Sequence, residues 1–214
     1  MGHDTMFEGI VYRITSSGRF SAGHWILGVV VVAGLLGLIL QRHEAVKAVS
    51  AAAGPTAFVV DGNPEPLSDW KNALLVAQAL DTSGASIGTL RAQLFQAKEE
   101  GFAALHTAQQ AGLSVGDSEV ASFVARMRSQ IAAIPAAAAQ VQRVEQVLGI
   151  TDDQYWAYLQ PDYAAGLVTA KLKQQYYNSL GSLNLNEKAQ KWEAYLHQLA
   201  STATITITDP ADVQ

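Results

Sequence analysis

The chain has 214 residues, with 14 Lys+Arg against 19 Asp+Glu and no cysteine. From Glu44 onward 11 basic residues face 17 acidic ones, which argues against a duplex nucleic-acid partner, because that needs clustered positive charge. The lack of cysteine excludes disulfides, thiol catalysis and cysteine-ligated zinc, without identifying a redox compartment.

After a tail over residues 1–24, Trp25 to Leu40 reads WILGVVVVAGLLGLIL, 16 uncharged and almost entirely apolar residues. At helical rise this run is about 24 Å long, enough to cross a bilayer core of about 30 Å with modest thinning. Residues 25–43 are therefore expected to be a transmembrane signal-anchor, with Trp25, Leu36 and Leu40 as anchor residues. Ala45 to Ala53 could hold a small-residue cleavage site, but Arg42 and Glu44 follow the apolar run directly, which favours a retained span. Arg13 and Arg19 before it balance Arg42 and Lys47 after it, so charge leaves orientation open; the short N-terminal tail favours the body outside. Ala33 and Gly37 form a small-xxx-small pair that could bring two spans together as a homodimer.

Residues 44–56 read as a small-residue tether. Ala57-Phe58-Val59-Val60 is then a short β-type run closed by the turn-rich Asp61-Gly62-Asn63-Pro64. Ser68 is expected to cap a helix to about Leu80, with Trp70, Leu74, Ala77 and Leu80 or their neighbours on one face. A long helix follows from about Thr89 to Gln110, striped by Leu90, Leu94, Ala97, Gly101, Leu105 and Ala108, and Gly112 ends it. The next opens at 114–117 and buries Val120, Phe123, Val124, Met127 and Ile131 before Pro135 interrupts. Another covers 136–148 and stops at Gly149. Thr151 and Gln154 have capping-box spacing for a helix through Gln160. Pro161 then suits the first turn of a separate helix carrying Val168, Leu172 and Tyr176 and stopping near Gly181. Asn186 is expected to cap the last helix, with Trp192, Tyr195, Leu196 and Leu199 on its face.

Thr204-Ile205-Thr206-Ile207-Thr208 alternates strictly and is the clearest strand signal in the chain. A lone strand leaves its backbone unpaired, so its expected partner is 57–60, the other strand-like run. The fold class expected is mainly α: a transmembrane helix, then a multi-helix domain over 57–208, closed by a two-stranded β ribbon from its first and last segments, with a tail at 209–214.

The sequence carries little catalytic chemistry. Its five histidines are scattered with no metal-binding spacing, and there is no nucleophile elbow, no S-x-x-K and no phosphate-cradling glycine loop. Neither a metal nor a cofactor is expected. Glu99-Glu100 and Asp152-Asp153 read as solvated helix charges, the second pair suited to a helix N-terminus. Aromatics are dense around Pro161: Tyr155, Trp156, Tyr158 and Tyr163, with Tyr176 and Tyr177 further on. Tyr155, Trp156 and Tyr158 cannot all point one way, so part of this set is expected on a second face suited to apolar peptide segments. Phe95 and Phe102, seven apart and offset from the stripe of their helix, raise the same expectation.

The order of these features resembles the SurA-type and PrsA-type extracytoplasmic folding factors. Residues 111–120, Ala-Gly-Leu-Ser-Val-Gly-Asp-Ser-Glu-Val, are similar to that group's Gly-aliphatic-x-aliphatic-(Ser/Thr)-Asp-x-Glu-aliphatic stretch. Gly149-Ile-Thr-Asp-Asp-Gln-Tyr-Trp156 resembles the start of its next helix, and Ala203-Thr-Ile-Thr-Ile207 its closing strand. The resemblance spans about residues 57 to 208. It implies a chaperone domain that cradles unfolded or secreted polypeptides, placed outside the bacterial cytoplasmic membrane. Many members also insert a parvulin-type prolyl isomerase of about 90 residues; here Gln160 to Asn186 has room only for a helix and a turn, so enzymatic activity is not expected. The function implied is an anchored, ATP-independent folding factor binding peptide through Phe95, Phe102, Tyr155, Trp156, Tyr158, Tyr163 and Tyr176. The alternatives are an envelope assembly protein with one partner and a residual prolyl isomerase.

Overall fold

Asp61 and Gly62 both take positive φ, 49° and 80°, so the chain reverses in two residues, as Asp-Gly does in tight hairpins. The computed structural model describes residues 55–208. The expected span at 25–43, with Trp25, Leu36 and Leu40, lies outside the described residues, as do both tails and nearly all of the tether. Among the described residues no helix is long and apolar enough to cross a membrane.

The Asp-Gly reversal joins β1 (Thr56–Val60) to β2 (Asn63–Pro66), and β3 (Ile205–Ile207) pairs antiparallel with the other side of β1. Phe58 lies opposite Ile207 and Val60 opposite Ile205, so the first and last described segments do meet. The ribbon is nevertheless a three-stranded sheet in the order β2-β1-β3, not the two strands expected. Asn63 and Pro64 were expected in the turn closing β1, and Glu65-Pro66 in no element; the structure puts all four in a strand. Pro64 and Pro66 face Val59 and Thr56, at alternate positions whose backbone points away from β1, so their missing N–H groups remove nothing from the ladder.

β2 runs directly into α1 (Leu67–Leu80). Ser68 is not its cap. Leu67 N–H instead donates to Pro55 O at 2.8 Å, so strand pairing satisfies a donor at the helix start, and the Ser68 hydroxyl turns to Asp69. α2 (Ile87–Gln110) begins earlier than expected because Ser86 Oγ accepts from Thr89 N at 3.1 Å. It stops at Gly112, φ 72°. Its buried line runs Leu94, Lys98, Phe102, Leu105, Ala108, one residue around from the expected Ala97 and Gly101.

α3 (Asp117–Ala132) turns Val120, Phe123, Val124, Met127 and Ile131 inward, and Pro135 opens α4 (Pro135–Leu148), which ends at Gly149 with φ 66°. The Thr151–Gln154 capping box forms in full, and α5 then runs unbroken from Asp152 to Ser179 with Pro161 inside it. The expected break is absent. An interior proline costs about 3 kcal/mol, but Tyr155, Trp156 and Leu159 before it and Tyr163, Val168 and Leu172 after it are all buried. At about 1.5–3 kcal/mol per large apolar side chain, packing on both sides outweighs the lost bond.

α6 (Leu185–Thr202) is capped by Asn184, not Asn186: Asn184 Oδ1 accepts from Asn186 N and Glu187 N, while Glu187 accepts from Asn184 N. α2 packs against α1, α5 and α6, while α3 lies on α5 and α4 on α1. The apolar interior falls into three clusters: beneath the sheet, between α1, α4 and α5, and where α2, α5 and α6 meet.

Candidate functional site

The seven aromatics that the sequence singled out divide among those three clusters and do not meet in one groove. Phe102 is 1% exposed beneath the sheet, and half-buried Phe95 sits with it, 5.0 Å ring to ring from Phe58. Tyr155, Trp156 and Tyr163 are each at most 4% exposed. Trp156 and Tyr163 stack at 6.3 Å, and the Trp156 indole N–H donates to Asp152 Oδ1 at 2.9 Å. Burial, then the neighbouring Tyr163, pushes the Tyr155 hydroxyl above the ordinary tyrosine range; burial and Asp162 do the same to Tyr163. Both hydroxyls therefore stay neutral. Half-buried Tyr158 lines an interior space of ≈ 10 Å³ against Val76 and Val144, about one water's worth. Tyr176 stacks on Tyr195 at 4.5 Å and donates to Lys191 O at 3.2 Å.

Phe95, Tyr158 and Tyr176 are the members of the set with part of their surface open. They belong to three different clusters, because helical spacing distributes rings around each helix and each face meets a different neighbour.

A shallow, open hollow lies elsewhere, along α3 where it meets the edge of α5. Ala121, Val124, Ala125, Ser129 and Ala132, at steps of one, three and four, floor an open groove of ≈ 500 Å³ that Gln160 of α5 borders. Small side chains along α3 make this hollow, while Val120 and Phe123 on its other side hold the helix to the core. Arg128 stands at the groove and binds both Asp152 and Asp153, the latter at 2.7 Å. The Asp153 hydrogen bond is the largest cause of a guanidinium pKa raised above its ordinary value, so the cation is permanent. Nearby Glu145 is shifted upward by partial burial, then by the Asp152 charge. The groove thus has an apolar floor, an amide edge and an exposed ion cluster in which one guanidinium faces two carboxylates, leaving it net negative.

Sequence reading missed this groove because alanine carries no chemistry to flag it. It also missed Lys98 and Glu65, a fully enclosed ion pair at 2.8 Å between α2 and β2. The signal for Lys98 was its place four residues from both Leu94 and Phe102. Of the described histidines, His197 Nδ1 lies 2.9 Å from Glu100 Oε1 and His106 contacts Gln110, and no cluster of three or more His, Asp or Glu able to hold a metal exists among the described residues. Comparison with protein-family models, curated proteins and solved structures finds no match for the chain.

Proposed function

We propose that the body of this protein is an ATP-independent folding factor, similar to the SurA-type chaperone domain, that holds extended apolar segments of unfolded or secreted polypeptides. In this reading residues 25–43 anchor it in a bacterial cytoplasmic membrane with the body outside. The observation that carries the proposal is the open α3–α5 groove, whose alanine and valine floor can accept varied apolar side chains without selecting one. The pairing of β1 with β3 also agrees with the closing strand that the resemblance implies. Phe95, Tyr158 and Tyr176 add partly open apolar surface, whereas the enclosed Phe102, Tyr155, Trp156 and Tyr163 would contribute only after local opening.

Suppression of aggregation tests this, with full-length protein in lipid nanodiscs and several chemically unfolded clients. The folding-factor reading expects near-stoichiometric suppression that falls sharply when Ala125→Trp fills the groove, position 125 being exposed and outside the core. Absence of suppression across all clients would defeat it. The Arg128–Asp152–Asp153 cluster favours a second reading, an envelope assembly protein with one partner, since a charged rim discriminates among ligands. That reading expects one saturable partner whose binding Arg128→Ala weakens. Acceleration of X-Pro isomerisation by the same preparation would overturn both.

A further inference from the structure

The two edges of the sheet are built differently. On β2 the outward-facing positions are Pro64 and Pro66, which have no N–H to offer, so that edge is closed to a further strand. On β3 the ladder to β1 is made by alternate residues: Asp61 N donates to Thr204 O at 2.9 Å and Thr208 N to Ala57 O at 3.0 Å, with Val59 and Thr206 paired between them. Antiparallel alternation then directs the N–H and C=O groups of Ile205 and Ile207 away from β1. Neither residue makes a backbone hydrogen bond on that side among the described residues. No proline or charge guards positions 203–208.

The segment is also a palindrome, Thr-Ile-Thr-Ile-Thr centred on Thr206. A second copy approaching antiparallel about a twofold axis at Thr206 sets Ile205 opposite Ile207 of the other copy. These are the residues with outward backbone groups, and each such pair exchanges both of its hydrogen bonds. The half-buried isoleucines meet on the core face, the exposed threonines meet on the outer face, and no like charges stand opposed between 203 and 208. We infer that β3 is a self-pairing edge through which two copies of this chain join their sheets into one continuous sheet. The edge is short, so the dimer is weak and concentration-dependent.

The natural absence of cysteine makes the register directly readable. Thr206 would face its own symmetry mate in a non-hydrogen-bonded pair, where the Cα atoms stand about 4.5 Å apart, within disulfide reach. In mildly oxidising buffer, full-length Thr206→Cys in nanodiscs is expected to cross-link to a dimer. Thr208→Cys, which meets position 204 and not itself, is expected to stay monomeric alone and to cross-link when mixed with Thr204→Cys. Thr206→Glu and Thr206→Lys should each lose self-association and regain it when mixed, a result that dimerisation through the N-terminal segment would not produce. Equal cross-linking of the 206 and 208 variants, or none from either, would overturn the proposal.

Discussion

Lys98 Nζ lies 2.8 Å from Glu65 Oε1, with the lysine side chain fully enclosed and the glutamate 4% exposed. The contact has ion-pair distance without hydrogen-bond alignment, so it acts through charge, with the Lys98 ammonium also 5.8 Å from the Phe102 ring. Alternation along β2 sends Asn63 and Glu65 to the core face beside Phe58 and Val60, which is where Lys98 on α2 must meet them. Removing one partner takes the nearest counter-charge from the other in a buried site. Lys98→Ala or Glu65→Ala is expected to cost about 3–5 kcal/mol, while Lys98→Met with Glu65→Leu is expected to be neutral or stabilising. Urea unfolding of the four proteins in a double-mutant cycle measures this; single losses below about 1 kcal/mol would mean the pair is solvated.

Pro161 lies ten residues into α5, where it removes one helical hydrogen bond. Replacing it by Ala should restore that bond and raise stability by about 1–2 kcal/mol, less than the full helix-interior penalty because proline also restricts the unfolded chain. Thermal unfolding would show a higher midpoint. A lower one would mean that the flanking rings Trp156 and Tyr163 pack only around the proline geometry.

These two cases also mark the limits of sequence reading. Helix identities, the Thr151 box, the stops at Gly112 and Gly149 and the meeting of β1 with β3 were legible because each depends on local chemistry or on a strand needing a partner. Pro161 and β2 were misread for one reason: proline's local preference was overridden, once by burial on both sides and once by facing away from the ladder. Asp61-Gly62 did contain the hairpin signal that would have placed β2. The groove was not legible at all, because it is made by the smallness of Ala121, Ala125 and Ala132 relative to their neighbours across two helices. The aromatics announced themselves by size, and size drew most of them into the core.

Glu99 gives the stability of the fold a pH dependence of definite sign. Partial burial and, after it, the adjacent Glu100 charge raise its pKa above the ordinary 4.5. Its charged form is therefore disfavoured in the folded state, which binds more protons than the unfolded chain just above pH 4.5. Stability attributable to this residue is present at low pH and falls as pH rises through the folded pKa. Glu99→Gln should raise the unfolding midpoint at pH 7, leave it nearly unchanged below pH 4.5, and flatten the profile between. Identical profiles for variant and wild type would show that solvent screens the shift completely.

The start of α6 separates two asparagines, two positions apart, by role. Asn184 Oδ1 accepts from Asn186 N at 2.9 Å and Glu187 N at 3.1 Å, and Glu187 Oε2 accepts from Asn184 N at 2.9 Å, so three backbone donors depend on this box. Asn186 sits inside the first turn, exposed, and contributes its backbone N–H, which any residue but proline retains. Asn184→Ala is expected to cost about 1 kcal/mol and Asn186→Ala less than about 0.5 kcal/mol. Because α6 leads within three residues into β3, fraying at its start should speed amide exchange in the first turn while leaving Thr206, held by β1, protected. Equal losses in the two variants would mean that side-chain capping does not stabilise this helix, and that Trp192 and Ala200 packed against the core hold it alone.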